Sequence, residues 1–321
     1  MPAQRDGDTS GQRRTPGGGC VDGRGADAAD PMEAVARDRF HVSVEGARYA
    51  GYDSGGPGPA VLFLHGWPDE SSVWRHQYRA AVDAGFRALA VDWIGHGRSE
   101  RLRDPKRYEV ARLSRDLAAV LDAREIETVH CVAHDWGAVA AWQFVTLYPA
   151  RVLSYCALSI GHTAAIIRTP SLVNLLKSWF LIYNALPFAV PLYKAARGRF
   201  FRLAMAQHPD RARVVARFMA DPDPYYIQAW ELGNPLGPHI RSLLFKPAAV
   251  VTPIQVPTLG LWGSRDAYAG EAPMRRSGDY VKGTYRFVCL EQLGHWPQLE
   301  DPDRVNAVLL EWLTEQVRSS R

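Results

Sequence analysis

Asp135, Asp266 and His295 have the residue types, and stand in the chain order, of a nucleophile, a supporting acid and a base. Asp135 sits in "CVAHDWGA", where an apolar, strand-like run ends at Ala133 and helical periodicity begins at Gly137. Ala133 and Gly137 lie two positions to either side of it. Small neighbours there suit a nucleophile elbow, a sharp turn that pushes the central side chain into a site. Aspartate is also a favoured helix N-cap, so the motif alone serves either purpose. Asp266 follows the run "PTLGLW", and His295 follows "TYRFVCLEQLG"; its place rather than its type singles it out among ten histidines. Past the run ending at His65, the backbone N–H of Trp67 in "HGWP" is positioned to join that of Trp136 in holding an oxyanion. Gly and Pro also make "HGWP" an ordinary turn.

An aspartate differs from a serine nucleophile in one decisive respect. With an ordinary pKa of about 3.9 it is ionised at neutral pH and needs no base before it attacks. Attack on an ester carbonyl would give an anhydride, which is uphill. Attack on a strained or activated sp³ carbon gives an alkyl ester, whose carbonyl water can then attack. The residues therefore describe two steps: Asp135 displaces an oxygen or a halide, and His295, oriented by Asp266, takes a proton from the water that cleaves the ester.

The elements needed to position these groups are legible in the periodicity. From Phe40, "FHVSVEGARYAGYDSGG" alternates and turns at Glu45 and Gly46, as a β-hairpin does. Apolar runs at 60–65, 86–92, 129–133, 151–159, 257–262 and 284–290 alternate with helical patterns near 72–84, 109–123, 137–148, 272–282 and 303–317. That rhythm predicts an α/β fold with a mostly parallel, doubly wound sheet, whose chemistry sits beyond the carboxyl ends of the strands. The rhythm stops over 161–248, which read as an inserted helical cap between core segments 40–160 and 249–321. Residues 1–39, with "PGGG" in the middle, read as a dispensable disordered leader.

Composition excludes several classes. The chain has 321 residues, is 47% hydrophobic and carries a net charge of +4. Six arginines against seven acids in residues 1–39 make no basic arm for nucleic acid. Ten Lys/Arg over 162–245 face only Asp210, Asp221, Asp223 and Glu231, a surplus expected on solvated helix faces. The four cysteines are too few for a disulfide framework. Cys131, Cys156 and Cys289 fall in apolar runs and read as buried thiols of a cytoplasmic protein. The most apolar stretch, 171–193, is broken by Lys177, Pro187 and Pro191, so no membrane span is expected. No metal-binding spacing and no nucleotide fingerprint occurs.

"HGWPDESSVWRHQ", "DWIGHGRS", "AHDWGAVAAWQFVTLYPARV", "LGLWGSRD" and "LGHWPQLEDPDRV" together resemble the epoxide hydrolase branch of the α/β-hydrolase superfamily, from about Phe40 to Leu313. The resemblance implies a cofactor-free hydrolase that opens an epoxide to a vicinal diol, with a cis Trp67–Pro68 bond. It also implies two cap tyrosines that hold and protonate the epoxide oxygen, and here the chain departs. "SWFLIYNALP" puts Phe180 at the first position, with Tyr183 a turn on and Trp179 before it. "YYIQAWELGN" puts Trp230 or Glu231 at the second, with Tyr225 and Tyr226 upstream. A tryptophan N–H donates a hydrogen bond but does not give up its proton. Haloalkane dehalogenases share the Asp–His–Asp scheme, and Trp136, Trp179 and Trp230 are candidate donors to a halide. A non-catalytic binding relative is the third reading. The cap aromatics point to an apolar or aromatic small molecule as partner, and a homodimer stays open.

Overall fold

The computed structural model describes residues 30–36, 38–169, 171, 177, 179–235 and 251–319; the side chains of Trp179 and Phe180 lie outside the described ones. Eight strands form one sheet: β1 (Arg39–Val44), β2 (Ala47–Asp53), β3 (Ala60–Leu64), β4 (Arg87–Asp92), β5 (Val129–His134), β6 (Val152–Leu158), β7 (Thr258–Gly263) and β8 (Tyr285–Leu290). Their order is β1-β2-β4-β3-β5-β6-β7-β8. The opening hairpin is antiparallel and β2 meets β4 antiparallel, while every later pair is parallel. Strands β3, β5 and β7 are buried along their whole length, because a parallel sheet is covered on both faces.

Helices fill the gaps as the periodicity predicts. In the core these are α1 (Arg75–Asp83), α2 (Val110–Ala123) and α3 (Trp136–Leu147), and later α9 (Glu271–Arg276), α10 (Pro297–Glu300) and α11 (Pro302–Ser319). Helix α1 packs on α11 and α2 on α3. Between β6 and β7 lie α4 (Thr163–Arg168), α5 (Trp179–Asn184), α6 (Ala189–Ala204), α7 (Arg211–Ala220) and α8 (Tyr226–Gly233). Among the described residues no helix is long and apolar enough to cross a membrane.

Three details differ from the expectations. Helix α4, expected in the cap, packs on the core instead: the His162 ring stacks on Tyr280 at 4.7 Å and the His162 N–H donates to Ser277 Oγ. Structure begins before residue 40. A 3₁₀ turn over Pro31–Ala34 is capped by Asp30, which also accepts from the Tyr52 hydroxyl, and Met32 is buried in the core. One apolar residue among polar neighbours gives no periodicity, so this turn is invisible to pattern reading. Cys131 and Cys156 are buried, but Cys289 is only half-buried, because β8 is the outer strand of the sheet.

Candidate active site

The turn between β5 and α3 places Asp135 in a conformation that few residues tolerate, with φ 52° and ψ −127°. Small neighbours make that turn possible. A Cβ on Gly137 would lie 2.3 Å from the His65 carbonyl oxygen, and one on Gly66 would lie 2.4 Å from both Cβ and Oδ1 of Asp135. The elbow thus brings the acid against the β3 loop, where the Trp67 N–H donates to Asp135 Oδ1 at 2.7 Å. The Trp67–Pro68 bond is cis. The backbone N–H of Trp136 also stabilises the carboxylate charge.

His295, past β8, points Nε2 at Asp135 Oδ2 across 3.5 Å and holds Asp266 Oδ2 at 2.8 Å through Nδ1. Asp266, past β7, has its other oxygen saturated by the N–H groups of Tyr268 and Ala269. Lys177 donates to the Asp266 and Ala269 carbonyls and braces the same loop. The structure therefore brings together three residues that are 131 and 29 positions apart in sequence, all of them buried. Burial disfavours the imidazolium of His295, but the carboxylates of Asp266 and Asp135 outweigh it and push the pKa up to about 10. Burial would raise Asp135, yet the hydrogen bond and charge of His295 hold it below the usual carboxylate range.

Supporting residues appear that motif reading does not single out. His134 Nε2 and Ser159 Oγ each lie 2.8 Å from the His295 carbonyl and hold the backbone of the base. His65 accepts the Trp93 N–H at Nε2 and donates from Nδ1 to the Gly66 carbonyl, fixing the loop under Trp67. Burial pushes both His65 and His134 down to about 4, so they are neutral struts. Each is adjacent to a singled-out motif, in "LHGW" and "AHDW", and adjacency was the available signal.

Among the described side chains, the residues expected to line a cap pocket fall into two groups. Trp230 is fully buried, and its indole stacks on that of Trp136 at 5.4 Å with planes 18° apart. The tyrosines each pack on another ring: Tyr183 on Tyr193, Tyr225 on Tyr108, and Tyr226 on His96 in a small pocket shared with Glu70 and Arg217. Trp179 and Phe180 begin α5, and their side chains lie outside the described residues. One cap residue without a role so far is Glu231, buried beside Trp230.

Comparison with known proteins follows the same lines. A family model described as alpha/beta hydrolase fold matches residues 59–302. The chain is 30% identical over 332 residues to epoxide hydrolase A of Mycobacterium tuberculosis, covering 85% of this chain and 96% of the relative. It is 26% identical over 290 residues to epoxide hydrolase 4 of Mus musculus, covering 87% and 77% of the two chains. Among solved structures, epoxide hydrolase A from Mycobacterium thermoresistibile superposes with a TM-score of 0.70 at 26% identity, over 86% of this chain and 98% of that one.

Proposed function

The chain belongs to the alpha/beta hydrolase fold family, and we propose that within it this protein is an epoxide hydrolase that works through an ester on Asp135. One observation carries the mechanism: the two oxygens of Asp135 are held for different tasks. Oδ1 already accepts the Trp67 N–H, whereas Oδ2 faces His295 and is the oxygen left to attack. Attack by Oδ2 on an epoxide carbon breaks the strained C–O bond and leaves a hydroxyalkyl ester. Oδ1 becomes the ester carbonyl oxygen, and the Trp67 and Trp136 amides then hold the negative charge that develops on it when water adds.

The electrostatics time the second step. In the resting site His295 is an imidazolium between two carboxylates. Esterification removes the Asp135 charge, one of the two supports of that proton. The His295 pKa then falls, the ring gives up its proton to meet the one that the oxygen freed by ring opening takes up, and it becomes a base toward water in the space its Nε2 faces. Asp266 keeps the ring oriented throughout. The stacked indoles of Trp136 and Trp230 beside the nucleophile favour an apolar or aromatic epoxide.

Replacing His295 by Gln is expected to stop turnover after the first step, so that intact-mass analysis after mixing with styrene oxide finds protein plus ligand. Asp135→Ala is expected to stay bare. A single wild-type turnover in heavy-oxygen water should leave the new oxygen on Asp135, since water adds to the ester carbonyl. Label found only in the diol of that first turnover would mean direct attack by water, and the scheme would fall.

A further inference from the structure

Ring opening requires a proton for the epoxide oxygen, and the cap tyrosines stand against other rings. Glu231 is placed differently. It follows Trp230, whose indole stacks on the residue next to the nucleophile, and it is 5% exposed. Its Oε1 accepts the Asn184 amide N–H at 3.0 Å, and the other end of that amide accepts the Tyr193 hydroxyl at 2.9 Å. Oε2 is buried and accepts no hydrogen bond of ordinary length, the Trp136 side chain acting on the carboxyl only as a weak donor. A buried carboxylate with one bare oxygen would be costly, whereas a neutral acid carrying its proton on Oε2 is satisfied at Oε1 and has an O–H to give.

Given the epoxide hydrolase reading above, we propose that Glu231 is the catalytic acid, donating its Oε2 proton to the epoxide oxygen as Asp135 attacks.

The charges around it suit that exchange. Burial is the main cause that pushes the Glu231 carboxyl up to about 8; the Asn184 hydrogen bond works against it and the negative charge of Asp135 adds to it. The titratable groups it feels are Asp135 from the elbow and Tyr193 from α6, while Asn184 and the Trp136 side chain act on it as neutral donors. When Oδ2 of Asp135 bonds to carbon, the C–O electron pair passes to the epoxide oxygen, which takes the Glu231 proton and becomes a hydroxyl. Asp135 loses its charge in the same event in which Glu231 gains one. The Asp135 repulsion that added to burial in keeping Glu231 protonated is gone when the proton must leave, and the site's net charge does not change. The imidazolium of His295 then supplies the proton that restores Glu231, directly or through solvent, and becomes the base for water. That water's proton closes the cycle on His295, and collapse of the adduct returns the Asp135 carboxylate and the diol.

The test reads ester formation on Asp135 in the full-length chain carrying His295→Gln, with styrene oxide as probe and rapid-quench mass analysis. Adding Glu231→Gln is expected to slow ester formation roughly 10²–10⁴-fold, the usual worth of a general acid. The parent rate should fall tenfold per pH unit above a break near Glu231's own pKa, and the Gln variant should lack that break. Glu231→Asp, a shorter acid, should restore part of the rate together with the break, which a merely structural role would not do. Unchanged ester formation in Glu231→Gln, a break that persists in it, or its loss in a Tyr183/Tyr225/Tyr226→Phe variant while Glu231→Gln retains it, would overturn the assignment. If the parent forms no ester with any epoxide, the epoxide hydrolase reading falls first and takes this acid with it.

Discussion

At the scale of single residues, the site is a set of charges each held by the next. His295 binds its proton because two carboxylates face it, so neutralising one should release it. Asp135→Asn mimics the neutral ester without forming one. In this variant the His295 imidazole, followed by NMR, should titrate clearly below the value near 10 of the wild type. A raised folded pKa adds stability that is fully present below the unfolded value of about 6.5 and is lost as pH rises through the folded one. Wild-type melting temperature should accordingly decline as pH rises toward 10, and in Asp135→Asn that decline should finish at lower pH. An unmoved His295 titration would mean that Asp266 alone holds the proton. Asp135, Asp266 and His295 are legible in the sequence because each follows a strand end, where this fold class puts its chemistry. Glu231 is not, since "YYIQAWELGN" offers Trp230 and Glu231 equally. The tie breaks only in three dimensions, through Asn184 of another helix, 47 positions away.

At the scale of elements, catalysis depends on how closely the β5–α3 elbow approaches the loop after β3. That approach uses glycine where any side chain would collide, at Gly66 and Gly137. Gly137→Ala would set a methyl group 2.3 Å from the His65 carbonyl oxygen, a backbone atom that cannot swing aside. The expected cost is about 1–3 kcal/mol of stability, as for other overpacked sites, seen as a lower denaturation midpoint. Gly66→Ala would instead push on the Asp135 carboxylate. It should lower ester formation far more than stability, because the displaced atom is Oδ1 itself. Equal and small effects in both variants would show that the elbow has slack. The small-x-Asp-x-small pattern was visible in "AHDWG", but what it makes room for was not: the partner loop lies 68 residues upstream. Strands β3 to β8 are readable to within a residue or two at each end, and β3 and β5 as continuous apolar runs of a sheet covered on both faces. The turn at Pro31–Ala34 and the packing of α4 on the core were not, because neither has a repeat.

At the scale of the whole molecule, contacts between the helices of 189–233 and the rest of the fold fix where Trp230 and Glu231 stand. A set of ion pairs joins the segment between β6 and β7 to the rest of the fold: Asp210 to Arg75, Arg213 and Arg217 to Glu70, Asp221 to Arg101 and Asp223 to Arg103. Of the basic surplus over 162–245 these pairs account for Arg213 and Arg217, and the exposed pairs among them stabilise little. The fully buried contact matters more. Asp69, two residues after Trp67, accepts from His208 Nε2 at Oδ1 and from Trp296 Nε1 at Oδ2, both at 2.9 Å. Burial opposes its charge, and His208 overcomes this to hold the carboxylate well below its usual range. One buried residue therefore joins the loop after β3, His208 between α6 and α7, and the neighbour of His295. Removing one partner of a buried pair costs about 3–5 kcal/mol, because the remaining charge is stranded. His208→Ala should lower stability by that order in denaturant unfolding at neutral pH. Adding Asp69→Asn should recover much of the loss, since the stranded charge is then absent. The sign of the pH dependence follows from a depressed carboxylate: the stabilisation is present above the unfolded value of about 3.9 and disappears as pH falls toward the folded one. The gap between wild type and His208→Ala should therefore narrow below pH of about 4. A gap that stays constant with pH, or a double variant no better than the single one, would mean that His208 acts by filling space and that the ion pairs alone hold the segment between β6 and β7.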